Sequence, residues 1–165
     1  LSEGLKEERM YKKIAVGVCL GAVWLLQGCG KINTYEKLAS FPKHQWVSSD
    51  TPSFSFDIQD TMQPYQLFFV IRHGDAYRYR NIWLDIKVKD PDSSYSVTRE
   101  FKLADGEKWL GTGMDDIYEH RVPFANGAHI LKKGNYTFTL RQIMREDTLE
   151  HVLNTGIRVE RVPAN

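Results

Sequence analysis

No cysteine follows Cys29. The chain has two in 165 residues, Cys19 and Cys29, so the part beyond residue 29 can hold no disulfide, no thiolate metal site and no thiol nucleophile. Charge of one sign is also lacking. The formal net charge is +1, which gives no electrostatic pull on nucleic acid. Four of the 22 basic and three of the 21 acidic residues precede Cys29, leaving 18 of each after it. There is no Gly-x-Ser-x-Gly elbow, no phosphate loop and no zinc-protease helix. The histidines, His44, His73, His120, His129 and His151, are not spaced at i,i+2 or i,i+4. Asp57/Asp60 and Asp115/Asp116 could pair as glycosidase carboxylates, but they read more simply as turn and loop acids. The sequence therefore supports no enzyme, no metal and no cofactor.

What is there begins at the N-terminus. Tyr11-Lys12-Lys13 is a short basic stretch, and Ile14 to Leu26 is an uncharged apolar run of 13 residues. A bilayer span needs roughly 20, so the run fits the apolar region of a signal peptide. It ends in Leu26-Gln27-Gly28-Cys29, which resembles the bacterial lipobox: a large apolar residue three before the cysteine and a small one just before it. That makes Cys29 the lipidation site and the covalent lipid the only attached group expected. Gln27 departs from the small or apolar residue usual at that place. Each buried methylene contributes ~0.8 kcal/mol, and two or three chains together anchor stably. The expected organisation is an upstream extension over 1–9, a lipoprotein signal peptide over 10–28, a tether over 29–45 and one β domain over 46–165. Residues 29–165 number 137, enough to bury roughly 68% of the extended-chain surface in one core.

From Trp46 onward period-two alternation dominates. Phe54, Phe56 and Ile58 alternate with Ser55 and Asp57. Leu67 to Arg72 is apolar at nearly every position and reads as a strand buried on both sides. Ile82, Leu84, Ile86 and Val88 alternate with polar or amphipathic neighbours, the clearest half-buried strand. Asp90-Pro91-Asp92-Ser93-Ser94 is turn chemistry, followed by a partner strand with Tyr95, Val97, Phe101 and Leu103 in phase. Short strands are also expected at His120–Phe124, from Tyr136, and at Ile157–Val162. Leu149, Val152 and Leu153 give a hint of helix over Thr148–Asn154. The fold class is all-β, an antiparallel sandwich. Gly134-Asn135-Tyr136-Thr137-Phe138 has the spacing of a tyrosine corner and favours an immunoglobulin-like topology; a jelly roll is the alternative.

Two aromatic features stand out. Tyr77, Tyr79 and Trp83 share parity opposite to the core face, with Arg78 and Arg80 between them. On a regular strand they would form an exposed row, either a sugar platform or a protein-binding strip. Packing against a loop, or a bulge near Asn81, is the simpler reading. In Gly106-Glu107-Lys108-Trp109-Leu110-Gly111-Thr112-Gly113 the glycines permit tight turns. Trp109 then either pins the loop to the domain or meets a ligand.

These stretches carry a wider resemblance. Phe54-x-Phe56-Asp57-Ile58, Tyr77-x-Tyr79-x-Asn81-Ile82-Trp83-Leu84, the Gly106–Gly113 loop, Gly134-x-Tyr136-x-Phe138 and Gln142-Ile143-Met144-Arg145, in this order and spacing, resemble the gliding motility lipoprotein family GldH of the Bacteroidota, with the resemblance running from the lipoprotein signal to Gly156-Ile157. The resemblance implies a non-enzymatic outer-membrane lipoprotein that supports a gliding machinery tied to type IX secretion. Its partners would be the membrane, through the lipid, and other gliding or secretion envelope proteins. A glycan-binding sandwich remains the other class. Gly30, not Asp, follows Cys29, and the first acid is Glu36. By lipoprotein sorting rules this points to the outer membrane and to its periplasmic face.

Overall fold

The computed structural model describes residues 34–163. The signal peptide, Cys29 and the segment up to residue 33 lie outside the described residues. The strands are β1 (Thr34–Ser40), β2 (Gln45–Val47), β3 (Ser53–Ile58), β4 (Pro64–Gly74), β5 (Asn81–Lys89), β6 (Ser94–Lys102), β7 (Ala104–Asp105), β8 (Lys108–Trp109), β9 (Thr112–Met114), β10 (Ile117–Pro123), β11 (His129–Ile130), β12 (Gly134–Gln142), β13 (Thr148–Glu150) and β14 (Val152–Arg161). No helix occurs among the described residues. All pairings are antiparallel.

Two main sheets result. One runs β1-β14-β4-β10-β9, with β11 added beside β4, and the other runs β3-β12-β5-β6. The alternation seen in the sequence sets their inner faces. On β5, Ile82, Leu84 and Ile86 are fully buried and Val88 nearly so; each such side chain contributes roughly 1.5–3 kcal/mol. Phe54, Phe56 and Ile58 of β3 and Tyr136, Phe138 and Leu140 of β12 extend the same face. Phe69 and Ile71 of β4 and Ile157 and Val159 of β14 come from the opposite sheet. Phe69 meets Phe101 with ring centroids 4.5 Å apart. This is an antiparallel β-sandwich with one shared core. β4 is covered on both faces, as its apolar run requires. Val70 points outward yet is fully buried, on the face where Arg158 binds Glu36, at 2.7 Å, and Glu160.

The corner tyrosine makes its bonds. The Tyr136 hydroxyl accepts from the Lys132 N–H at 3.1 Å and donates to the Lys132 carbonyl at 3.2 Å. The immunoglobulin-like detail rests on this contact alone. Gln142, fully buried, closes the turn after β12: its amide donates to the Glu146 and Asp147 carbonyls and its oxygen accepts from the Met144 N–H.

Two expectations are corrected. A tether is expected over 29–45, but Thr34–Ser40 is a sheet strand pairing with β14 from Thr34↔Glu160 to Ser40↔Asn154. Tyr35 and Ala39 pack on the core while Lys37, on the same parity, is exposed; at a sheet edge one lysine breaks the pattern without cost. The helix hinted at Thr148–Asn154 is instead β13, a left-handed kink at His151 (φ 63°) and the start of β14. Leu149 and Val152 are both buried there. A kink and the register shift that follows bring residues three apart to the same side, which imitates helical spacing.

Candidate functional site

The loop from Gly74 to Asn81 decides what happens to the aromatic row. β4 ends at Gly74, whose carbonyl accepts from the Tyr77 N–H at 3.0 Å. β5 does not begin until Asn81, so residues 77–80 are not on a strand. Tyr77 turns inward, is 4% exposed and donates its hydroxyl to the Asn81 carbonyl at 3.2 Å. Burial pushes its phenol up from the usual range. Tyr79 is half-buried and meets Tyr77 edge-on, at 5.7 Å and 66°. Its hydrogen bond to Glu146 raises its phenol too, and Arg78 pairs with the same carboxylate at 3.3 Å. Trp83 sits on the outer face of β5, 40% exposed, with its backbone N–H directed at the Met144 sulfur at 3.3 Å. The coplanar exposed row does not form, and the sugar-platform reading loses the feature that carried it.

The structure does gather five of the six candidates elsewhere. Tyr77, Arg78, Tyr79, Arg80 and Trp109 line one cleft of about 240 Å³ with Asp75, Gly106 and Glu107. Trp83 is not part of it. The two walls are tied together by the Arg80 carbonyl, which accepts from the Leu103 and Ala104 N–H groups at 2.8 and 3.0 Å. Gly106, with φ 59°, turns the chain so that β8 folds back on β7. Trp109 then donates its indole N–H to Asp75 at 3.2 Å. At Gly111 a Cβ would stand 2.4 Å from the Glu119 carbonyl oxygen and 2.9 Å from His120, so only glycine lets this loop lie on β10.

Beneath Trp109 is a pair of buried histidines that the sequence reading did not join. His73, on β4, and His120, on β10, are 0% and 2% exposed. Their Nε2 atoms are 2.9 Å apart and their rings stack at 17°. His73 Nδ1 is 2.9 Å from the Gly74 carbonyl and must donate to it, which leaves its Nε2 as the acceptor of the His120 Nε2–H. With both rings kept neutral by burial, the bonding assigns them opposite tautomers. Burial pushes both below the ordinary histidine range, and His120, next to His73, falls to about 4. Trp109 packs edge-on against His73 at 4.4 Å, with Tyr118 and Tyr77 alongside. The signal was present in the sequence: His73 shares the parity of Phe69 and Ile71.

Chemically, the cleft offers two exposed arginines, two carboxylates and two partly covered rings. No group of three metal-ligating side chains forms among the described residues. Trp109, half-buried and hydrogen-bonded to Asp75, pins the loop.

The comparisons with known proteins place this architecture. The profile of the GldH lipoprotein family matches residues 33–159, a range that takes in nearly all of the sandwich strands. The chain belongs to the GldH lipoprotein family. A GldH homolog from Christiangramia forsetii is 28% identical over 92% of this chain and 98% of its own length. The gliding motility lipoprotein GldH of Flavobacterium johnsoniae is 26% identical over 87% and 94%. Among solved structures, dimeric latent PorU from Porphyromonas gingivalis aligns with a TM-score of 0.37 and 11% identity, covering 82% of this chain and 13% of that one. The infectious bursal disease virus VP2 subviral particle aligns at 0.35 and 15%, covering 76% and 32%. These scores carry nothing about function. In GldH terms, two of the motifs that marked the resemblance are structural: Gly106–Gly113 builds the cleft wall and Gln142–Arg145 the turn after β12.

Proposed function

We propose that this GldH-family chain is a non-enzymatic lipoprotein of the outer membrane, held by lipid on Cys29 and facing the periplasm. It supports assembly or operation of the gliding machinery linked to type IX secretion. The observation that carries this reading is the extent of the family match: it covers nearly all of the sandwich, and both relatives align over nearly their full length. Gly30-Lys31 after Cys29 supports the outer membrane. The cleft between the Asp75–Arg80 loop and the Gly106–Trp109 loop supports a protein partner, since exposed Arg beside partly buried Tyr and Trp is what interface hot spots are made of.

The test is site-specific photo-crosslinking in intact cells of the source bacterium, with a benzophenone amino acid at Arg78, in the cleft, or at Trp83, on the other sheet face. Adducts from position 78 to a motility or secretion envelope protein, absent from position 83, support the reading. No protein adduct from position 78, or the same adducts from both, contradicts it.

A further inference from the structure

The inner face of β6 is left partly uncovered. Tyr95, Val97, Arg99 and Phe101 lie opposite Val88, Ile86, Leu84 and Ile82 of β5 and share their inward side. Those four β5 residues are buried, and so is Phe101, but Tyr95 is 52% and Val97 42% exposed. The reason is in the other sheet. β10 stops at Pro123, and the chain crosses as the loop through Gly127 to β11 instead of continuing as a strand over β6. What remains is an apolar groove of about 300 Å³ with Val97, Ile86, Leu67, Phe124 and Leu131 in its walls.

One charge stands in it. Arg99 lines the groove, and its guanidinium lies 5.4 Å from the centre of the Phe101 ring. Four arginines among the described residues are half-buried. Arg72 is paired with Glu119, Arg158 with Glu36 and Arg161 with Asp60. Arg99 has no carboxylate partner among the described residues. A partly desolvated guanidinium favours an anion, and arginine suits carboxylate or phosphate geometrically.

We propose that this groove is a binding site for a single unbranched fatty acid, its chain lying along β6 and its carboxylate on Arg99. From Tyr95 to Arg99 the strand advances ~13 Å at about 3.3 Å per residue. At about 30 Å³ per water-sized group, the volume holds on the order of ten methylene-sized groups. Length and volume thus agree on one chain of medium length, and a two-chain phospholipid exceeds the space. An inward arginine also discourages edge-to-edge pairing of β6, but that role needs no apolar groove in front of it. The site stands apart from the cleft at Tyr77–Trp109 and does not depend on the partner proposed there.

The test uses the full-length lipoprotein in vesicles of phosphatidylethanolamine, with a diazirine-bearing dodecanoic acid as probe. After irradiation, mass spectrometry should place the adducts on the segments 94–101 and 124–131. Excess dodecanoate should suppress them at least tenfold, and dodecanol should not. Arg99→Gln should lower labelling about tenfold with an unchanged thermal midpoint. Val97→Trp, which fills the groove, should abolish it. The dodecanoate and dodecanol comparison uses the unaltered protein and stands even if a variant fails to fold. Adducts scattered over the surface, equal competition by dodecanol, or labelling blocked only by phospholipid would each overturn the proposal. So would a crosslink to a polypeptide from a benzophenone amino acid placed at position 97 in intact cells, which would make β6 a strand-addition edge.

Discussion

The buried histidine pair makes stability depend on pH in a window that ordinary carboxylates do not set. His120 takes up a proton near 6.5 when unfolded but only at about 4 when folded. The folded value is depressed, so the contribution is fully present above 6.5. It is lost as the pH falls from 6.5 to about 4, where the unfolded chain binds the proton and the folded one does not. A difference of about 2.5 units corresponds to about 3 kcal/mol, or about 1.4 kcal/mol per pH unit for one proton. His73, lowered by burial against the opposing pull of the Gly74 carbonyl and Asp75, adds to the same slope. Urea unfolding between pH 7.5 and 4 measures it. His120→Gln keeps an N–H donor for His73 Nε2 and removes one titrating ring, so the slope in this window should fall by about 1.4 kcal/mol per unit. An unchanged slope would refute the assignment, and with it the view that the Trp109 loop rests on a neutral imidazole pair.

The remaining expectations concern packing. Tyr77→Ala should destabilise the domain by about 3–5 kcal/mol, as for other buried aromatics, whereas Tyr79→Ala should cost less than about 1.5; equal effects in chemical denaturation would argue against the inward turn at Tyr77. A Cβ on Gly156 would stand 2.1 Å from the Lys37 carbonyl oxygen and crowd Leu38. Gly156→Ala should therefore loosen β1 and cost about 1–3 kcal/mol, with faster amide exchange over Thr34–Ser40 than elsewhere. Tyr136→Phe removes both hydroxyl bonds to Lys132 and should lower stability by about 0.5–1.5 kcal/mol; no shift in the midpoint would mean the corner contributes nothing.

Much of the fold was legible because its strands are half-buried. β3, β5 and the start of β12 alternate so regularly that Phe54, Ile82, Leu84 and Phe138 could be assigned to the core from parity alone. Parity failed where the chain left the sheet. Tyr77 and Tyr79 keep the spacing of a strand, yet the turn at Asp75–Ala76 buries the first ring in the core and leaves the second half-buried against it. β1 was hidden because edge strands tolerate polar residues on both faces. The candidate site was half-legible. The residues of the cleft were picked out by type, but their meeting depends on contacts between residues 75–80 and 104–109 that no local pattern encodes. The histidine pair needed the β4–β10 register, His73 beside Tyr118 and Ile71 beside His120, before its two members could be joined.

Attachment to the outer membrane requires lipid on Cys29. The measurement is metabolic labelling of the source bacterium with an alkyne-bearing palmitate analogue. It is followed by separation of inner and outer membranes and mass spectrometry of the N-terminal peptide, for the natural chain and for Cys29→Ala. A labelled, acylated N-terminal cysteine in the outer-membrane fraction, lost in Cys29→Ala along with processing, is the predicted result. Equal label in the variant, or a natural chain found unlipidated or confined to the inner membrane, would contradict it.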